Sequence, residues 1–133
     1  MMRCSRICGK IFAKIVRIYS LRFTSVGQNL AAFMNLALAF AQSARSDFSK
    51  TALFWGSVRF SYGQFWQQTL LVAELLQTSF GIEREDRVGI WLKNCPEFVP
   101  VLFGIWQAGA VAVPINNFLK PAEVQFILGD SGI

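Results

Sequence analysis

The sequence predicts an α/β fold, a mostly parallel sheet flanked by helices, and three observations carry that expectation. Phe98, Val99, Leu102, Phe103 and Trp106 recur at helical spacing, so one face of a helix there is broad and apolar. The run Ala110 to Val113 follows at once without a polar residue, which suits a strand covered on both faces. A second apolar run, Val88 to Leu92, precedes the helix. Strand, helix and strand thus succeed one another in the order of a right-handed parallel crossover.

The elements can be justified in chain order. Leu30 to Ala41 is an apolar run shorter than the roughly 20 residues that span a bilayer. It is read as the first amphipathic helix, with Leu36, Phe40 and Phe48 facing the core. A small hairpin through Gly56 and Ser57 follows. Ser61 and Gln64 stand in the spacing of a capping box, which opens a long helix from Tyr62 to Ser79. Its stripe is Phe65, Thr69, Val72, Ala73 and Leu76, and Gly81 followed by Ile82 fits a helix-ending turn. Asn94 and Glu97 have the same capping spacing before the next helix, in which Pro100 is tolerable only if the helix starts near Glu97. Gly109 can end that helix in the left-handed conformation, and Pro114 terminates the second strand of the crossover. Trp91 and Trp106 read as core residues. Periodicity alone would accommodate these elements in any α/β core.

Several short motifs in register narrow the choice. The stretch from Gly104 to Asn116, with its Ala108-Gly109 helix end and Val113-Pro114-Ile115-Asn116 corner, resembles adenylate-forming enzymes. Phe60-Ser61-Tyr62-Gly63-Gln64-Phe65 and Asn94-Cys95-Pro96-Glu97-Phe98 are similar to two further motifs of that superfamily, as are Asp86 to Ile90, Pro121-Ala122-Glu123 and Asp130-Ser131-Gly132. The resemblance covers roughly residues 30 to 133 and implies the N-terminal subdomain of the fold, as an incomplete piece. Asn116 to Pro121 looks most like the fatty-acid–CoA ligases. Three positions depart from the pattern or strain it: Glu85 stands where Gly is usual before Asp86, Lys120 replaces a better helix cap, and Pro100 lies early in a helix.

Family members join a carboxylate to the α-phosphate of ATP with Mg²⁺ and then pass the acyl group to CoA or a carrier thiol. That chemistry needs a phosphate cradle and positive charge on developing oxyanions, which the family supplies with a Ser/Thr/Gly-rich loop ending in Lys and with a Lys from a C-terminal domain. Neither feature is in the sequence, and Lys50, Lys93 and Lys120 read as surface. No catalytic, cofactor-binding or metal residue is therefore assigned. What the resemblance implies is a piece of an ATP-dependent acyl-CoA synthetase for a fatty acid or other carboxylate, inactive alone, with ATP, Mg²⁺ and CoA bound by the parent and not by this stretch. The alternative is a noncatalytic interaction or membrane-surface protein reusing the first subdomain. A truncated sheet in a chain that is 53% hydrophobic is expected to leave apolar surface uncovered and to associate.

Charge divides the chain. Its 13 basic and 8 acidic residues give +5, yet residues 1–33 hold Arg3, Arg6, Lys10, Lys14, Arg17 and Arg22 and no acid, so the rest stands near neutrality. A basic arm over 1–28 is expected, followed by the family region over 29–133. Ile7, Ile11, Ile15 and Ile18 share another face of the arm, the pattern of a cationic amphipathic helix. Three readings stand side by side: a targeting or anionic-membrane arm, translated upstream sequence before a start near Met34, or a secretory signal. The location implied is cytoplasmic, membrane-associated or, for a transit peptide, mitochondrial. Nucleic-acid binding is not indicated, because the excess charge lies outside the folded region. Cys4, Cys8 and Cys95 form no disulfide framework, and without any His they make a poor metal site and no thiol–imidazole pair.

Overall fold

The structure, a computed structural model, describes residues 35–133, and the basic arm, Cys4 and Cys8 lie outside the described residues. Among the described residues four helices and four strands follow in the order α1 (Leu36–Ser46), β1 (Thr51–Trp55), β2 (Val58–Ser61), α2 (Tyr62–Ser79), β3 (Arg87–Ile90), α3 (Phe98–Gln107), β4 (Val111–Pro114) and α4 (Pro121–Asp130). The strands form two separate pairs, β1 antiparallel to β2 and β3 parallel to β4.

Helix α1 opens where the Asn35 side chain accepts a hydrogen bond from the Ala37 N–H at 2.9 Å. Its inward face is Ala37, Phe40, Ala41 and Ala44. This corrects the expected facing of Leu36 and Phe48, which are exposed. Three alanines let the helix approach closely, and Phe40 alone reaches across, stacking on Phe103 with ring centres 4.2 Å apart and meeting Trp66 edge-on at 6.1 Å. Phe48 lies beyond the helix end. Its carbonyl accepts from the Gly63 N–H at 3.0 Å, and its ring lies where a side chain on Gly63 would have to go.

Asp47 turns the chain from α1 into β1, its Oδ1 accepting from the Ser49 hydroxyl at 2.6 Å, the Ser49 N–H at 2.9 Å and the Lys50 N–H at 3.1 Å. The Ser49 hydroxyl in particular holds this carboxyl below its ordinary 3.8. The hairpin pairs Leu53 with Phe60, Phe54 with Arg59 and Trp55 with Val58, and Gly56 takes φ +60 in the turn.

The capping box of α2 forms as its spacing predicts: Gln64 N–H donates to Ser61 Oγ at 3.2 Å and Ser61 N–H to Gln64 Oε1 at 2.8 Å. Phe65, Thr69 and Ala73 are buried along its stripe, and Trp66 joins Phe40, Ala41, Ala44 and Phe65 in one core cluster. Gly81, at φ +64, turns the chain so that the Ile82 N–H reaches the Leu76 carbonyl at 3.0 Å. Helix α3 crosses α2 with almost no intervening side chain. A Cβ on Gly104 would stand 2.5 Å from Val72 Cγ1 and 3.1 Å from the Thr69 carbonyl oxygen.

The start of α3 bears out the later position, at Phe98, which puts Pro100 in the first turn where its missing N–H has no partner to lose. The Asn94–Glu97 capping box does not form. Glu97 is already in the right-handed helical region and makes no side-chain cap bond, and the first amides instead donate to the Cys95 and Pro96 carbonyls. At the other end Gly109, at φ +83, closes the helix with its N–H on Trp106 and the Ala110 N–H on Ile105.

Strands β3 and β4 are fastened beyond both ends of their pairing, by Val111 N–H on the Asp86 carbonyl at 2.7 Å and Ile115 N–H on the Ile90 carbonyl at 2.8 Å. Ile90, Ile105 and Ala110 form the second core cluster, lined by Leu76, Ile82, Phe98, Val101 and Leu102. Only one face is well covered: Val111 is exposed, so a run without polar residues does not here mean burial on both sides. Trp91 is likewise 52% exposed, a correction to its expected core role, because β3 ends at Ile90 and the indole falls past the last ladder position. Trp106 is half-buried against Phe103.

Glu85 keeps the tight turn that its departure from Gly put in question. It does so in the left-handed region, at φ +73, with its N–H on the Gly109 carbonyl at 3.0 Å. Lys120 caps α4 weakly, as expected. Its side chain has no acceptor, and the cap rests on the Glu123 carboxylate accepting from the Lys120 N–H at 2.7 Å. Arg87 donates to the Ser131 carbonyl at 3.0 Å, tying the end of α4 to β3.

Candidate functional site

In parallel sheets, ligands collect outside the carboxyl ends of the strands, so the segments leaving β3 and β4 are the first place to look. After β3 come Trp91, Leu92, Lys93 and Asn94, and after β4 come Ile115, Asn116, Asn117 and Phe118. Asn116 is spent on local structure: its Oδ1 accepts from the Phe118 N–H at 3.0 Å, a side-chain turn that stands the Phe118 ring in solvent at 88% exposure. The sequence reading passed over Phe118, although an Asn-Asn pair after a strand-ending Pro signals this turn.

Cys95 is half-buried at the entrance to α3. A helix N-terminus lowers a thiol pKa, but here burial, and then the neighbouring Glu97, push it up. The group is a poor nucleophile. Lys50, Lys93 and Lys120 are exposed, as the sequence suggested. Among the described residues no cluster of three or more His, Cys, Asp or Glu side chains could hold a metal ion, and no helix is long and apolar enough to cross a membrane.

A second concavity, about 610 Å³, opens at the carboxyl end of α3, between Trp106 to Ala110, Arg84 and the start of α1 at Asn35. Among the described lining residues the cation is Arg84, 3.9 Å from Glu85, and both side chains are highly exposed. Helix-end carbonyls give this mouth a negative polarity. The described lining residues offer an indole and side-chain amides for contact, and among them is no group to attack or protonate a substrate. Three separate segments build it, so no local pattern announces it.

The arrangement among the described residues is therefore one of strand ends and exposed aromatic surface. The comparisons agree with it. The family described as "AMP-binding enzyme" matches residues 40–133. The 4-hydroxybutyrate–CoA ligase 2 of Metallosphaera sedula is 36% identical over 95 residues, 71% of this chain and 17% of that protein. The long-chain-fatty-acid–CoA ligase FadD13 of Mycobacterium tuberculosis is 44% identical over 75 residues, 56% of this chain and 15% of that protein. The chain thus spans less than a fifth of the length of these relatives. Among solved structures, the N-terminal domain of FACL13 from Mycobacterium tuberculosis superposes with a TM-score of 0.69 at 38% identity, over 74% of this chain and 25% of that one. An adenylation di-domain protein from Klebsiella oxytoca shares the fold with a TM-score of 0.70 at 21% identity, over 74% of this chain and 18% of that one. With the elements in register from α1 to α4 and the family matched over most of its length, the chain belongs to the AMP-binding enzymes, acyl-CoA ligases among them, as part of their N-terminal subdomain.

Proposed function

We propose that these residues form the opening part of an ATP-dependent acyl-CoA synthetase, which adenylates a fatty acid and then transfers the acyl group to CoA, and that the 133-residue chain does not catalyse this alone. The observation that carries the reading is the unbroken family match over residues 40–133, against relatives named as CoA ligases of fatty acid, 4-hydroxybutyrate and crotonobetaine/carnitine. In this reading ATP, Mg²⁺ and CoA are held by the rest of the enzyme. The chain's own residues contribute the β3–α3–β4 crossover, whose strand ends would border the substrate. The fatty-acid assignment draws on the FadD13 likeness and on the Asn116 to Pro121 stretch.

A chimera tests it. Residues 35–133 would replace the matching stretch of a fatty-acid–CoA ligase of the family. ATP–pyrophosphate exchange and thioester formation with palmitate should survive in the chimera and be absent from the purified 133-residue chain. A folded chimera that adenylates short or polar acids but no fatty acid would refute the substrate assignment. Exchange by the chain alone would refute the division of labour. A second reading, a noncatalytic surface-binding protein on the same subdomain, is kept for one observation, the apolar side chains exposed at the end of the hairpin.

A further inference from the structure

The hairpin end is unlike the rest of the surface. Residues 54–59 are all exposed, and three of the six are apolar: Phe54 at 65%, Trp55 at 48% and Val58 at 51%. Strand alternation puts Phe54 and its partner Arg59 on one face and Trp55 and its partner Val58 on the other. A sheet face waiting for a neighbour would be apolar on one side only. Here both faces are exposed, and a Cβ on Gly56 would meet nothing within 4 Å, so the turn itself is open.

The tip carries positive charge: Arg59 is the one ionised side chain of residues 54–59. Arg59 lies over the Phe54 ring, its guanidinium carbon 5.4 Å from the ring centre, so the cation and the apolar body form one amphipathic unit. Trp, with an apolar body and one polar N–H, is the residue favoured where hydrocarbon meets headgroups.

We propose that the β1–β2 hairpin is a membrane-docking tip, which sinks Phe54, Trp55 and Val58 into the interfacial layer of an anionic lipid surface while Arg59 meets the headgroups. Insertion tip-first accounts for apolar side chains on both faces. This goes beyond the synthetase reading and does not depend on it.

The test uses the full chain and vesicles of phosphatidylcholine with or without phosphatidylserine. Wild type should sediment with the mixed vesicles, and lipid brominated near the headgroup should quench part of its tryptophan emission. Because the basic residues before Arg22 would also respond to anionic lipid, the diagnostic is the hairpin variant Phe54→Ser/Trp55→Ser/Val58→Ser. It should bind more than about tenfold more weakly, since each side chain buries apolar area worth roughly a tenfold change in affinity. Trp55→Phe keeps the insertion but should lose the quenched component. Arg59→Gln should weaken binding by about fivefold, an effect that salt removes. All four positions are exposed, so an unchanged far-UV spectrum and melting temperature are expected of every variant. Unaltered vesicle binding by the triple variant would overturn the proposal, as would a wild type that loses self-association in lipid-free buffer when the hairpin is changed, since that would make the tip a contact between copies of the chain.

Discussion

Replacing Gly104 by Ala should destabilise the domain, although Ala is the better helix former. The reason is the crossing of α2 and α3. The new Cβ would lie 2.5 Å from Val72 Cγ1, 2.6 Å from Val72 Cβ and 3.1 Å from the Thr69 carbonyl oxygen. Carbon atoms prefer about 3.5–4.0 Å, so the helices must part by about 1 Å or Val72 must leave its rotamer. Overpacking costs about 1–3 kcal/mol, contacts as short as 2.5 Å belong to the upper part of that range, about 2–3 kcal/mol, and the Gly-to-Ala gain in helix propensity returns about 1 kcal/mol. The net loss should be about 1–2 kcal/mol. In urea this lowers the midpoint by about 0.5–1 M at an unchanged slope, and in a thermal scan it lowers the midpoint by about 5–15 °C. Val72→Ala removes only Cγ1 and Cγ2 and leaves the Cβ contact, so the pair of substitutions should recover part of the loss and no more. Gly129 supplies the control. It is also helical, but a Cβ there meets nothing within 4 Å, so Gly129→Ala should be neutral or stabilising by up to about 1 kcal/mol. A Gly104→Ala variant as stable as wild type would mean that the helices do not touch as described.

Glu85→Gly relieves a left-handed residue at φ +73 and should stabilise by up to about 1 kcal/mol, read from the urea midpoint, with the greater freedom of the unfolded chain limiting the gain. Ser61→Ala removes half of the α2 capping box and should cost about 1 kcal/mol in the same measurement. The Thr69 hydroxyl is fully buried without a hydrogen-bond partner, so Thr69→Val should be neutral or stabilising by about 1 kcal/mol. The Cys95 thiol is raised above its ordinary 9.0 by burial and by Glu97, so the folded protein retains the neutral form. Its alkylation, followed by peptide mass, should therefore lag that of an unfolded control as pH rises through 9.0, and Glu97→Gln should speed it.

What was legible in the sequence is what local chemistry decides. Ser61 with Gln64, Gly81, Gly109 and Pro121 each answer the needs of one helix terminus, and each boundary they mark agrees with the structure. Leu36, Phe48 and Trp91 misled because burial depends on a partner that periodicity does not name. On α1 two phases of the apolar pattern were open, and the one built on Ala37, Ala41 and Ala44 prevailed because small residues admit a neighbouring helix. The Asn94–Glu97 spacing misled for another reason: Pro96 and Glu97 already form a turn, and the first helical amides, of Phe98 and Val99, bond to the Cys95 and Pro96 carbonyls. The groove at the end of α3 was illegible because Asn35, Arg84 and Trp106 meet only in three dimensions.

The two strand pairs share no strand, and the α2–α3 crossing lies between them in the chain of contacts. Parting β1 from β2 breaks no hydrogen bond of β3 or β4, and the converse also holds. The hairpin and the crossover should therefore open as separate cooperative units, their amides exchanging with solvent on different clocks. The amides around Thr69 and Gly104, at the crossing between them, should hold their hydrogens until the domain unfolds as a whole.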